Sequence, residues 1–338
     1  MKNTIAIAIP VFNGEKFLKE AIESALNQTV PADEILVFIH DTQDKSRIIA
    51  EEFLPKVRIV EENTNLNIGQ AWNRLYEISQ SDYVIMLHDD DTLQFNTIEI
   101  IKEKIYSYPD VKMIFGGSYI FDQEQIDSGN VLTKQLNFAL ESVPINTHDF
   151  KTKMLKGFLP GCSGLCLHKK TMLKTKFNER LSILLDCEFF TRISLLSTYE
   201  IVGIQKVLAN YRVYKTSTMG TTTTHKVLQD YQSWLKQIDD SSIQLPVEVT
   251  DQYRGYVLRR LASFYSSAIY DNRKEIVVEL QKRWKAYIIS HDKILKQYLS
   301  KSMIIFIKLS LLGIFGYYFT IIVARFDRRW KRFAYKYK

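Results

Sequence analysis

The chain has 338 residues, 46% of them hydrophobic and 25% charged, a balance typical of a folded globular protein that excludes a disordered one. Its net charge of +7 is concentrated at one end: residues 325–338 hold seven bases and one acid, and the rest is close to neutral. Three cysteines (Cys162, Cys166 and Cys187) form no CxxC pair, which excludes a disulfide framework and fits a reducing compartment.

Residues 5–9 read as a buried strand, stopped by Pro10. This opening apolar run is too short for the core of a signal peptide, so the chain is expected to stay on the cytoplasmic side. Asn13-Gly14 then turns into a helix over 15–27, with Phe17, Leu18, Ala21, Ile22, Ala25 and Leu26 on one face. Residues 35–39 predict a second strand closed by a polar run, 40–46. A helix to Phe53 and a third strand at 57–60 follow. The spacing next predicts a helix at 69–78, an apolar strand at 83–87, a helix at 97–106 and a strand at 111–115. Strand and helix in alternation predict an α/β fold with a mainly parallel sheet, whose ligands bind beyond the carboxyl ends of the strands.

After Gly116 the pattern loosens. A turn-rich loop at 159–164 precedes a short strand at 165–168, and 186–196 reads as a helix. Helical stretches dominate from Lys226 to about Ser300. The expected divisions are therefore 1–115, 116–220, a helical region 221–300 and a terminal segment 301–338. Residues 303–324 are the most apolar stretch, but only sixteen consecutive residues, 309–324, lack a charge. That falls short of the roughly 20 that a perpendicular span needs. Trp330, Phe333, Tyr335 and Tyr337 interleave with the bases that follow, a composition suited to an anionic membrane interface. The segment is expected to dip into or lie on a membrane surface, and not to bind nucleic acid.

The chemistry-bearing residues fall at strand ends. His88-Asp89-Asp90-Asp91 follows the apolar strand directly. Adjacent carboxylates repel one another unless a cation or hydrogen bonds compensate, and hard divalent ions such as Mn²⁺ and Mg²⁺ favour carboxylates with phosphate oxygens. A solvated acidic loop is the plainer alternative. Pro10-Val11-Phe12-Asn13-Gly14 forms a strand-to-helix turn able to offer backbone groups to a base or diphosphate. Asp186 opens a helix beside Phe189 and Phe190, where it serves either as a helix cap or as a general base.

Taken in order, these segments resemble family-2 glycosyltransferases. Ala6 to Gly14, Leu26-Asn27-Gln28-Thr29 and Glu34 to Asp41 are similar to the family's opening. Asn67-Ile68-Gly69-Gln70-Ala71-Trp72-Asn73 resembles its Asn-x-Gly segment, and Tyr83 to Asp91 the strand leading to a DxD-type motif. Leu185 to Arg192 resembles the acidic start of the base-bearing helix, and Asn210-Tyr211-Arg212-Val213-Tyr214 the later Tyr-Arg element. The match runs from about residue 4 to 219. It implies a GT-A fold, with 1–115 the nucleotide-sugar-binding half, 116–220 the acceptor-binding half and a helical region after them.

It also implies an inverting transfer from a nucleotide-diphosphate sugar to an acceptor hydroxyl, and the basic, apolar tail points to a surface-polysaccharide or lipid-linked glycan as that acceptor. Asp186 would be the base and Asp90, with Asp91, the ligands of Mn²⁺ or Mg²⁺. Pro10, Phe12, Asn13, Asp41, Asn67, Gly69, Asn73, His88, Asp89 and Arg212 would face the donor, with Asp41 at the nucleobase. Three positions depart from the pattern: His40 and His88 stand where acids are usual, and Tyr214 where a His is. A catalytically silent nucleotide-sugar scaffold is the alternative those departures keep open. A nucleotidyltransferase fits less well, because no Gly-rich, Lys-containing loop follows the first strand. A dinucleotide-dependent dehydrogenase fits poorly, since no GxGxxG follows that strand.

Overall fold

The computed structural model describes residues 3–270, apart from 129–134, 137–139, 156–157, 197–198, 218–220 and 244. It divides into two compact units, 1–222 and 223–338.

The first unit opens as β1 (Ile5–Val11), α1 (Leu18–Leu26), β2 (Glu34–His40), α2 (Ser46–Glu51), β3 (Arg58–Glu62), α3 (Ile68–Ile78) and β4 (Tyr83–Met86). β1 pairs in parallel with β2 on one side and β4 on the other, and β2 in parallel with β3. All seven β1 residues are buried, so it lies at the centre of the core. A continuous apolar run is what a strand covered on both faces requires. Fully burying one such aliphatic side chain stabilises the fold by roughly 1.5–3 kcal/mol. Pro10 is compatible with this central position because the ladder to β4 ends at Ala8. Its missing N–H costs no bond on that side.

The chain continues through β5 (Thr92–Leu93), α4 (Thr97–Ser107), β6 (Val111–Asp122), α5 (Gln123–Asp127), β7 (Gln135–Leu136), α6 (Thr147–Leu155), β8 (Cys166–His168), α7 (Lys169–Thr175), α8 (Leu185–Leu196) and β9 (Glu200–Val213). Among the described residues the strands make one nine-stranded sheet ordered β3-β2-β1-β4-β8-β6-β9-β5, with β7 beside β6. β8 runs antiparallel to both neighbours, whereas β6 and β9 form a long parallel pair. The fold is the mixed α/β class anticipated from the sequence. Two details differ. β6 runs past Gly116 without a break, so 1–115 and 116–220 share one sheet. β9 extends over 14 residues where the sequence predicts no strand, because register shifts against Gly116 and Gly117 interrupt the alternation that marks one.

The second unit contributes α9 (Thr224–Asp239) and α10 (Val247–Tyr270). Trp234 of α9 is buried against Tyr253 and Tyr256 of α10. Among the described residues no helix is long and apolar enough to cross a membrane. The apolar segment 303–324 and the basic tail lie outside the described residues.

Candidate active site

In the order β3-β2-β1-β4, chain direction reverses its progress across the sheet between β1 and β4. The carboxyl ends of two such strands splay and leave a crevice. Phe12-Asn13-Gly14 lines one side and His88 to Asp91 the other. They touch: the Phe12 backbone N–H donates to Asp89 Oδ2 at 3.4 Å. A Cβ on Gly14 would stand 2.3 Å from that oxygen, so a larger residue there would displace the Asp89 carboxylate.

The β1 and β2 ends are tied together. Asn13 and Asp41 adopt positive φ, 53° and 46°, a turn conformation these two residue types tolerate. Asn13 N–H donates to Thr42 Oγ1 at 3.3 Å, and Asn13 Oδ1 accepts from Gln43 N–H at 2.9 Å. Gly14 N–H donates to Ser46 Oγ at 2.9 Å. Above this seam the exposed Phe12 ring stacks on His40, with centroids 5.4 Å apart. Burial lowers the His40 pKa, outweighing the opposing charges of Asp41 and Glu62.

The acidic loop is held from beneath. Asp91 is 1% exposed and has both oxygens engaged: Oδ1 accepts from Arg212 N–H at 2.8 Å, and Oδ2 accepts from the Ser163 hydroxyl. The His88 N–H donates to the same Ser163 oxygen at 3.3 Å, and His88 Nδ1 lies 3.5 Å from Asp91 Oδ2. The Trp72 indole stacks on the His88 ring at 5.3 Å. His88 Nε2 is buried with no hydrogen-bond partner.

Arg212 is the loop's main support. Its Nε donates to Asp90 O at 2.8 Å, Nη2 to Glu20 Oε2 at 2.6 Å and Nη1 to Gln123 Oε1. Its guanidinium lies 4.1 Å from the Phe17 ring centre and 4.7 Å from that of Phe121. The structure therefore gives the side chain to the protein's own loop.

Burial and carboxylate crowding shift the acids of the loop. Burial and the Asp90 charge push Asp89 up to about 7. Burial and Asp91 raise Asp90, although Tyr214 hydrogen-bonds it. Burial pulls the His88 pKa down, but the hydrogen bond and charge of Asp91 with the other two carboxylates carry it up overall. Ligand atoms of His88, Asp90 and Asp91 all lie within 4.8 Å of one another. One imidazole and two crowded carboxylates with ligand atoms this close fit a divalent cation. Asp90 is the less committed carboxylate of the two, since Asp91 is occupied by Arg212 and Ser163.

Asp186 lies in the first turn of α8, where its Oδ1 accepts from Cys187 N–H at 2.6 Å. It shares a neighbourhood with the acidic loop. Cys162 and Tyr211 both titrate high, first through burial and then through the charges of Asp186 and Asp91 alike. The residues Asn67, Gly69 and Asn73 meet a different part of the protein. Asn67 caps α3 and donates from Nδ2 to Glu179 O at 3.1 Å, and Asn73 is bonded to Phe177 and Glu179. Sequence reasoning missed Ser163, Glu20 and Gln123. Ser163 lay within a turn-rich loop that carried no periodic signal, and Glu20 and Gln123 are ordinary polar residues there.

Residues 6–168 match the model of glycosyl transferase family 2. Over that stretch, a little under half of its length, the chain is similar to the family. It is 25% identical over 148 residues to the glycosyltransferase GlyG of Streptococcus pneumoniae serotype 4, covering 43% of this chain and 48% of that protein. It is 23% identical over 209 residues to chondroitin synthase of Escherichia coli, covering 61% of this chain and 28% of that one. The chain thus spans half or less of the length of these curated relatives. Its fold is like that of the crystal structure of S. aureus TarS 1–349 in complex with UDP-GlcNAc, with a TM-score of 0.66 at 16% identity, over 99% of this chain and 91% of that one. The chain therefore has a GT-A-type sheet.

Proposed function

We propose that this glycosyltransferase is metal-dependent and inverting, and moves a sugar from a nucleoside-diphosphate donor to a hydroxyl of a glycan. The observation that supports the reading is the acidic loop at the strand-end crevice, where ligand atoms of His88, Asp90 and Asp91 lie within 4.8 Å of one another and Asp89 meets the Phe12 backbone. The Asp186 carboxylate takes the acceptor hydroxyl's proton. The acceptor oxygen then bonds to the anomeric carbon from the face opposite the leaving group. The bond from that carbon to the diphosphate oxygen breaks, and the diphosphate leaves with the electron pair. His88, Asp90 and Asp91 would hold Mn²⁺ or Mg²⁺. Such an ion supplies charge neutralisation for the departing diphosphate.

Phe12, Pro10 and Asn13 form the wall beside the nucleotide, with Asp41 toward the base and Asp89 toward the ribose. His88 and Arg212 act on the donor by shaping the acidic loop. Since S. aureus TarS 1–349 was crystallised with UDP-GlcNAc, a UDP-sugar is the first donor to test. We assign the acceptor to surface-polysaccharide synthesis, as a lipid-linked glycan at the cytoplasmic face of the membrane. The apolar segment and basic tail support that assignment. A thermal-shift screen of UDP-, GDP- and dTDP-sugars with Mn²⁺ identifies the donor by the rise in melting temperature. With that donor, Asp186→Asn is expected to lower transfer by about 10²–10⁴-fold while leaving nucleotide binding intact. Transfer within a few-fold of the parent would overturn the assignment of the base.

A further inference from the structure

Helix α3 touches both sides of the proposed chemistry. Trp72 stacks on His88 of the acidic loop and meets Phe177 edge-on at 5.0 Å. The next residue, Asn73, is 4% exposed and uses its whole amide. Its Nδ2 donates to Phe177 O at 3.0 Å and to Glu179 Oε1 at 2.8 Å, and its Oδ1 accepts from Phe177 N–H at 2.7 Å. At the start of the helix, Asn67 donates to Glu179 O, and a Cβ on Gly69 would lie 3.0 Å from Glu179 Cα. The absent side chain at 69 is what admits the 177–179 segment.

The same segment is gripped from the base side. Arg192 of α8 donates from Nη1 to Thr175 O at 2.6 Å and from Nη2 to Lys176 O at 2.7 Å, with Glu188 bonded to its Nε at 2.6 Å. The Phe177 ring packs 4.4 Å from that of Phe189, also on α8. Residues 175–179 are thus a strut between α3 and the helix whose first turn carries Asp186.

We propose that Asn73 is a positioning residue, and that α3 with this strut sets the separation between the acidic loop and the Asp186 carboxylate. The proposal rests on the reading of Asp186 as base. It gives the Asn67, Gly69 and Asn73 segment an alignment role in place of a donor contact. An oxygen nucleophile misplaced by an ångström reacts far more slowly, although the donor binds as before.

The test uses Asn73→Ser and Gly69→Ala in the full chain, with UDP, GDP and dTDP plus Mn²⁺ as titrants. Hydrogen exchange is followed at the amides of 177–187. Both variants are expected to bind the preferred nucleotide within threefold of the parent. Their 177–187 amides should exchange at least tenfold faster, with β2 and β4 unchanged. With the donor found by the screen, kcat should fall by roughly 10–100-fold at constant donor KM. A tenfold loss of nucleotide affinity, or unchanged exchange at 177–187 in a folded variant, overturns the proposal. If Asn73→Ser fails to fold, Gly69→Ala carries the test alone, since it leaves the Asn73 amide in place. An active Asp186→Asn enzyme would sink the base assignment, while the exchange measurement needs no turnover and would still report on the strut.

Discussion

His40 stands between two phenylalanine rings, with Phe12 on one side at 5.4 Å and Phe38 on the other at 5.7 Å. It is 5% exposed, and its Nδ1 is buried without a hydrogen-bond partner. Burial lowers its pKa below the usual 6.5, against the pull of Asp41 and Glu62. A base whose folded pKa is depressed contributes stability above its unfolded pKa, and that contribution is lost as pH falls below about 6.5 toward the lowered value. His40→Phe removes this loss and keeps the ring stack. The expected outcome is a melting temperature that matches the parent's pH profile above pH 7 and declines less between about pH 6.5 and 5. Melting curves across that range check it, and parallel profiles would show that His40 does not titrate on unfolding. Other shifted groups, His168 among them, are common to both proteins and cancel in the comparison.

At the scale of elements, the acidic loop owes its shape to parts distant in sequence. Arg212 at the end of β9 joins α1 through Glu20, the β6–α5 corner through Gln123 and the loop through Asp90 O. A lysine offers no planar fork and cannot serve three acceptors in these directions. Arg212→Lys is therefore expected to cost about 2 kcal/mol, near the low end for breaking a buried pair because Glu20 is half-exposed. It should also weaken Mn²⁺-dependent nucleotide binding. Denaturant midpoints and nucleotide titrations read the two effects, and an unchanged midpoint would contradict the account. This arrangement also explains how much of the site was legible. Apolar runs and strand-end turns are local, so β1 to β4, the Phe12-Asn13-Gly14 turn and the acidic loop were readable from spacing. What Asn73, Arg212 and Ser163 bond to is set by contacts 72 to 192 residues away, which no local pattern records. Asn67, Gly69 and Asn73 stood out through the family resemblance, and the partner they meet is the 177–179 strut.

At the scale of the whole chain, charge is segregated. Residues 1–324 together sum to about neutral, while residues 325–338 carry a net +6 directly after the apolar stretch. Each Lys or Arg near an anionic bilayer contributes about 1 kcal/mol, and the attraction decays within a Debye length of about 8 Å at physiological salt. Apolar burial of the 303–324 stretch adds a contribution that salt does not screen. The two terms separate experimentally. The full chain is expected to float with vesicles rich in phosphatidylglycerol and to bind pure phosphatidylcholine vesicles more weakly. High salt should remove the difference between the two lipids and leave the weaker apolar component. Deleting residues 301–338 should abolish flotation on both, while transfer to a soluble acceptor persists, because every residue of the proposed site lies before 213. Flotation unaffected by the deletion would mean that the membrane is not reached through this segment, and the lipid-linked acceptor would lose its support.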